Sequence, residues 1–228
     1  VKSSGYTAEF GGATGGIINA ITKSGSNAFH GSGLFYIQGS SMTGGSTPTL
    51  RQKLANSREA EYITYPEDDN TRIEPGVSLG GPISANRAWF FGAYQPALTS
   101  TTRDVTAASS GNPAANAASV DQSAQVQYIL ANTTAQISNG LRSRLSYNNS
   151  WSKTDGILPT QLGSDPLGTN YSKISTFPNW TLSGNLDWVA TPTLFFGFRG
   201  GYYTSDRSDT NVTQEPRYIF SSTNIGLA

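Results

Sequence analysis

From Trp180 to Trp188 the chain alternates without a fault. Trp180, Leu182, Gly184, Leu186 and Trp188 share one parity; Thr181, Ser183, Asn185 and Asp187 share the other. A period of two places such sets on opposite faces of a strand. In Leu141–Trp151 the parity of Leu141, Ser143, Leu145, Tyr147, Asn149 and Trp151 is largely apolar or aromatic, and Arg142, Arg144, Ser146, Asn148 and Ser150 on the other are wholly polar. Ile129, Ala131, Thr133, Ala135 and Ile137 oppose Asn132, Thr134 and Gln136; Ile73, Val77, Leu79 and Ile83 oppose Glu74 and Ser78. Leu194, Phe196, Phe198 and Tyr202 continue the series with Arg199 on the other side. Helical periodicity is scarce. The pattern predicts strands near 30–40, 71–83, 88–103, 124–137, 141–155, 179–190 and 194–208.

The connections between these strands alternate in length. Segments 41–70, 104–123 and 156–178 are long, whereas "SANR" (84–87), "SNG" (138–140) and "TPT" (191–193) are short. In an up-and-down meander every second connection falls at the same end, so the short turns share one rim and the long loops the other. Short periplasmic turns and long extracellular loops mark an outer-membrane barrel. A final outer loop is expected over 209–228.

A soluble β-sandwich also alternates, but it favours shorter strands and fills its inner face with aliphatic side chains. Here the strands exceed the ~9–11 residues that cross a bilayer at a tilt. Trp180 and Trp188 lie on the same face, roughly 20 Å apart along a membrane normal at ~3.3 Å per residue and a ~40° tilt. Such a pair fits the two aromatic girdles of a barrel, with Trp151 and Tyr202 as further girdle candidates. The expected fold is all-β: an antiparallel meander forming part of a transmembrane barrel.

Composition narrows the function. Charged residues are 13 % of the chain and aromatics 11 %, with 25 glycines; soluble domains average about 25 % charged residues. The 15 basic and 15 acidic residues balance, so no basic surface recommends nucleic acid. Cysteine is absent, which excludes disulfides, thiolate metal sites and cysteine nucleophiles. No run reaches the ~18 apolar residues of a membrane helix. His30 is the single histidine; it lacks a convincing acid–base partner, and a structural or interfacial role is expected. The acidic stretches "PEDDNTRIE" (66–74) and "SDRSDTNVTQE" (205–215) lack EF-hand spacing and read as solvated loop charge. No enzymatic chemistry, metal or cofactor is expected.

The glycine cluster in "EFGGATGGIINAITKSGSN" (9–27) has neither dinucleotide nor P-loop spacing, and β-branched residues follow where a phosphate site needs a helix N-terminus. "GYTAEFGGATGGIINAITKSGSNAFHGSGLFYI" (5–37) resembles the end of the plug domain and the first barrel strand of TonB-dependent outer-membrane receptors. "VSLGGPISANRAWFFGAYQ" (77–95) is similar to the next two strands in the Oar-like branch of that family. The resemblance implies that residues 1–29 are the C-terminal end of a plug and its hinge, and 30–228 the N-terminal part of a barrel of about 22 strands. Glu9, Phe10, Gly11, Gly15, Gly16, Lys23, Ser24 and Gly25 would then be structural plug and hinge positions. Strand 30–40 would run outward from the periplasm. The chain would be a fragment, since the secretion signal, the TonB-contacting segment and most strands are not in it.

Arg142, Arg144, Asp187 and Arg199 alternate against lipid-type faces and are expected in the lumen, because an Arg facing lipid near the midplane costs ~2–4 kcal/mol. The implied function is energy-coupled uptake of an unidentified solute across the outer membrane of a Gram-negative bacterium. Membrane lipid and the TonB complex would be its partners. The alternative is a secreted β-sandwich or adhesin module binding surface glycans through Tyr and Trp. The location of the apolar faces separates the two.

Overall fold

The computed structural model describes residues 23–53, 56–105, 119–161, 171–212, 218–220 and 225–227. The strands are β1 (His30–Gly39), β2 (Thr49–Lys53), β3 (Asn56–Ile63), β4 (Asp69–Ser84), β5 (Ala88–Asp104), β6 (Ser119–Ser138) and β7 (Leu141–Asp155). They continue as β8 (Ile174–Phe177), β9 (Asn179–Thr191), β10 (Leu194–Ser205), β11 (Ser208–Thr210), β12 (Tyr218–Phe220) and β13 (Ile225–Leu227). All pairing is antiparallel. Among the described residues no helix is long and apolar enough to cross a membrane; the long strands are the elements of crossing length.

One nine-stranded sheet carries the architecture. Its order is β1-β4-β5-β6-β7, after which β9 and β10 complete the meander and β8 and β11 extend it at one end. The β2–β3 and β12–β13 hairpins form separate ladders. β8 and β9 are one strand interrupted at Pro178: Ser152 faces Phe177 and Asn149 faces Trp180, so the register on β7 passes the break without a slip. β10 and β11 likewise keep one register against β9 and β8. Proline supplies no N–H to a ladder, yet its carbonyl still accepts, here from the Asp206 amide at 3.1 Å.

The strands run further towards the long-loop rim than alternation shows. β4 starts at Asp69, β6 at Ser119, and the predicted loops 41–70 and 156–178 contain β2–β3 and β8. The predicted loop 209–228 contains the end of β11 and the β12–β13 hairpin. Polar sequences such as "SVDQS" show no apolar face because both sides meet water there. Pairing to β5 extends them: Asp104 faces Ser119 and Thr102 faces Asp121.

The short-turn rim is built differently. Each of its three turns is flanked by a register shift, between Pro82 and Ser84, between Gln136 and Ser138, and between Leu194 and Phe195. Bulges of this kind sharpen local twist at barrel rims. A second irregularity sits inside the sheet. Pairing of β4 with β5 skips from Ile73–Leu98 to Val77–Tyr94, around Pro75 and Pro96. Across the gap the Gln95 side-chain amide donates to Glu74 at 3.2 Å.

The burial pattern inverts that of a soluble domain. Val77, Leu79, Tyr94, Leu98, Ile129 and Leu145 share one face by register and are exposed. Phe91, Ala97, Thr101, Asn132, Thr134 and Ser146 share the other and are buried. A sandwich would bury the first set against a second sheet; among the described residues none packs there. Contiguous exposed apolar surface on this scale marks contact with lipid or another apolar medium.

The face assignment is directly testable. Leu145, opposite Gly184, lies midway between the Trp180 and Trp188 levels on the apolar face. In the assembled barrel Leu145→Arg should lower folding stability in lipid by ~2–4 kcal/mol. Ser183→Arg, on the opposite face, should cost well under half of that in the same refolding titration.

Candidate functional site

The best-defined constellation is the seat of segment 23–29 against the sheet at the short-turn rim. Asn27 is its centre. Its Oδ1 accepts from the Asn86 backbone amide at 2.9 Å and the Trp89 indole Nε1 at 2.8 Å, and its Nδ2 donates to Asn86 Oδ1 at 2.6 Å. Asn86 sits in the β4–β5 turn with φ 60°, and Arg87 N closes that turn onto Ser84 O at 3.0 Å. Asparagine tolerates this left-handed conformation better than most residues. The turn thereby directs an N–H away from the ladder, where Asn27 takes it up.

On either side of Asn27 the segment packs closely. A Cβ on Gly25 would collide with the Phe90 carbonyl oxygen and lie 2.8 Å from that of Gly81. Only glycine permits that approach. Phe29 meets Phe90 edge-on at 6.3 Å between centroids, and a side chain at Gly81 would strike the Phe29 ring. His30 stacks on Phe91 at 6.3 Å, and its Nδ1 lies 3.1 Å from Ala28 O. The ring is exposed on its other side. Further upstream, the Lys23 carbonyl accepts from Asn132 Nδ2 at 2.8 Å. Asn132 is 3 % exposed; its Oδ1 and the Thr134 Oγ1 beside it have no hydrogen-bond partner.

Arg142, Arg144, Asp187 and Arg199 fall on the same face as Asn132, opposite the apolar one: Arg142 faces Asp187, and Arg144 and Arg199 both face Asn185. Arg199 Nη2 bonds Asp187 Oδ1. Arg142, Arg144, Asn185 and Asp187 line a depression of about 190 Å³ near the short-turn rim. Higher on this face Gln95, Tyr128, Asn148, Ser150 and Thr181 line a neutral depression of about 420 Å³. On β4 the same face carries the Arg72–Glu74 pair, so charge recurs beyond the first depression.

Trp180, Trp188 and Tyr202 lie on the apolar face in two clusters. Trp180 contacts Tyr147 at 6.2 Å and Tyr202 at 5.4 Å; Trp188 contacts Phe196 at 5.4 Å. Trp151 shares the face, opposite Gln127. Lys23, Ser24 and Gly25 belong to the seated segment. Glu9, Phe10, Gly11, Gly15 and Gly16 lie outside the described residues. Asn27, Asn86, Trp89 and Asn132 escaped sequence reasoning, and only the "SAN" turn hinted at one of them.

At the long-loop rim the acidic stretches are tied to the protein itself. Arg103 clamps Asp68 through Nε and Nη2 at 2.8 and 2.6 Å, and donates Nη1 to the carbonyl of the fully buried Pro159 at 2.8 Å. The Arg103 hydrogen bonds hold the Asp68 carboxyl below its usual range. Asp209 accepts from Ser175 Oγ at 2.7 Å and pairs with Lys173 at 2.9 Å and Arg207 at 3.2 Å. These donors, Ser175 and Lys173 foremost, lower its pKa to about 2. No group of three or more His, Cys, Asp or Glu side chains among the described residues could hold a metal. Gly156, with φ +92°, closes the same rim: its amide donates to Lys173 O at 2.9 Å, and a Cβ there would approach Asp121 O to 2.8 Å.

An inverted sheet with a polar wall, an apolar exterior and unequal rims is a piece of an outer-membrane barrel. The chain belongs to the family described as Outer membrane beta barrel domain, which matches residues 21–224. It is a protein of the Gram-negative outer membrane. It is also 38 % identical over 99 residues to the TonB-dependent transporter Oar of Myxococcus xanthus. That alignment covers 43 % of this chain and 9 % of the relative. No solved structure matches the chain significantly.

Two outcomes follow from these contacts. Gly25→Ala should loosen the seat by about 1–3 kcal/mol, an overpacking penalty, read as faster tryptic cleavage after Lys23 in the complete folded protein. A carboxyl with a lowered folded pKa stabilises fully above its unfolded value near 3.9 and loses that contribution as pH falls through the folded value. The Asp209 ties should therefore be intact above about pH 4 and lost on approach to a pH of about 2. Cleavage of segment 206–212 by an acid-active protease should show that step, and Asp209→Asn should abolish it.

Proposed function

We propose that this chain is the start of the barrel of a TonB-dependent receptor, with residues 1–29 as the end of its plug and hinge. The receptor takes up a solute in an energy-coupled cycle. The observation carrying this reading is the seat of segment 23–29. It joins β1 along the polar face at the short-turn rim, where a plug inside a barrel must connect to the wall. The identity to the Myxococcus xanthus transporter supports the same assignment.

In this reading the long-loop rim faces the outside and captures the solute. The chemistry is non-covalent. Arg142, Arg144, Asp187 and Arg199 line the lumen and meet either the plug or the passing solute. The Trp180 and Trp188 clusters are the two girdles, at the levels where amphipathic rings favour the lipid interface. The TonB complex is the energy-coupling partner of the complete receptor in this reading.

Comparison of spent media tests the uptake. Cells lacking this protein and cells lacking TonB should leave the same solute undepleted, whereas wild-type cells remove it. A medium profile unchanged by deletion of the protein, or depletion that persists without TonB, overturns the proposal. In fractionated cells, an antibody against 141–156 should detect a band far larger than 24.2 kDa in the outer membrane.

A further inference from the structure

We propose that Asn27 is the pin of the linker: a positioning residue that holds residues 24–30 on the inner rim while the chain upstream moves. This inference rests on the receptor reading above and adds where the moving part ends. One side-chain amide makes three hydrogen bonds, all to the β4–β5 hairpin, two of them to Asn86 and one to Trp89. An amide side chain offers two donors and a two-lone-pair acceptor, so Asn27 has its acceptor filled and one donor engaged. Its main partner is rigid, because Asn86 is held at φ 60° in a closed turn between the paired strands β4 and β5.

The grip is unequal along the segment. From Gly25 to His30 every contact is short-range and shape-dependent: Gly25 against two carbonyls, Phe29 on Phe90, His30 on Phe91. At Lys23, among the described residues, it narrows to one bond, from Asn132 Nδ2. Beside that bond Asn132 Oδ1 and Thr134 Oγ1 are buried and unpartnered. Unpaired buried polar atoms are a penalty, and a site carrying them separates more readily than one that is fully satisfied. The boundary between held and releasable chain thus falls between Lys23 and Asn27.

Hydrogen exchange read by mass spectrometry on the complete protein in lipid nanodiscs tests this, because the Asn86 amide is itself bonded to Asn27. In sub-denaturing urea, wild-type peptides covering 24–30 and 84–90 should stay protected after the upstream chain has exchanged. Asn27→Ala should raise Asn86 amide exchange roughly 10- to 100-fold, as loss of up to three hydrogen bonds implies. It should also make 24–30 exchange together with the upstream chain, while 124–136 is unchanged. Asn27→Asp, which keeps both accepted bonds, should give a smaller rise than alanine. Trp89→Phe, which removes only the indole donor, should do likewise.

Wild-type linker peptides that exchange in one step with the upstream chain overturn the pin alone. So does Asn86 exchange that is insensitive to Asn27→Ala. A complete protein with no cooperative unit upstream of residue 23 overturns the receptor reading, and the pin falls with it.

Discussion

Everything in this sheet depends on the backbone finding its partners without water. In hydrocarbon an unpaired N–H or C=O costs several kcal/mol, so strands that cross must pair along their length. That constraint explains why β8–β9 and β10–β11 keep one register through their interruptions. Pro178 interrupts the strand where β8 meets β9, and its carbonyl is used by the Asp206 amide. Pro75 and Pro96 fall opposite each other between the Ile73–Leu98 and Val77–Tyr94 pairs, and there both strands lose their N–H at the same level. A proline facing a proline removes two donors together, and the Glu74–Gln95 contact holds the strands across the gap.

Once pairing fixes the register, the sides follow, because a period of two leaves each residue no choice of face. Large apolar side chains go to the side that soluble proteins would hide, and small polar ones to the side that is buried. The buried polar face then receives the segment 23–29 through Asn132 and Trp89. Phe90 and Phe91 show both consequences on adjacent residues. Phe90 belongs to the apolar parity yet lends its carbonyl and ring edge to segment 25–29 at the rim, and Phe91 on the polar parity stacks on His30.

Charge is distributed along the sheet with the same logic. At the long-loop rim two ion pairs join segments distant in sequence: Arg103 with Asp68, and Lys173 with Asp209. Such ties brace loops that have little apolar surface to bury. Along the polar face, Asp187 is paired by Arg199, while Arg142 and Arg144 carry positive charge into a small depression. Arginine suits this position, since its guanidinium stays charged at any physiological pH and recognises carboxylates in a planar fork.

Alternation by itself determined the fold class, the strand positions from Ile73 to Tyr202, the side of Trp180, Trp188, Arg142 and Asp187, and which connections are short. These follow from side-chain transfer between lipid and water, which acts residue by residue and leaves a period in the sequence. The outer extensions of β4 and β6 left no such trace, because both their faces meet water and only the neighbouring strand decides their ends. The tertiary structure alone brought Asn27 to Asn86 and Trp89, 59 and 62 residues away along the chain, and Lys23 to Asn132 across 109. A hydrogen bond of one asparagine imposes no pattern on its neighbours. It depends on where the register delivers a turn, and the register is settled only when the strands have paired.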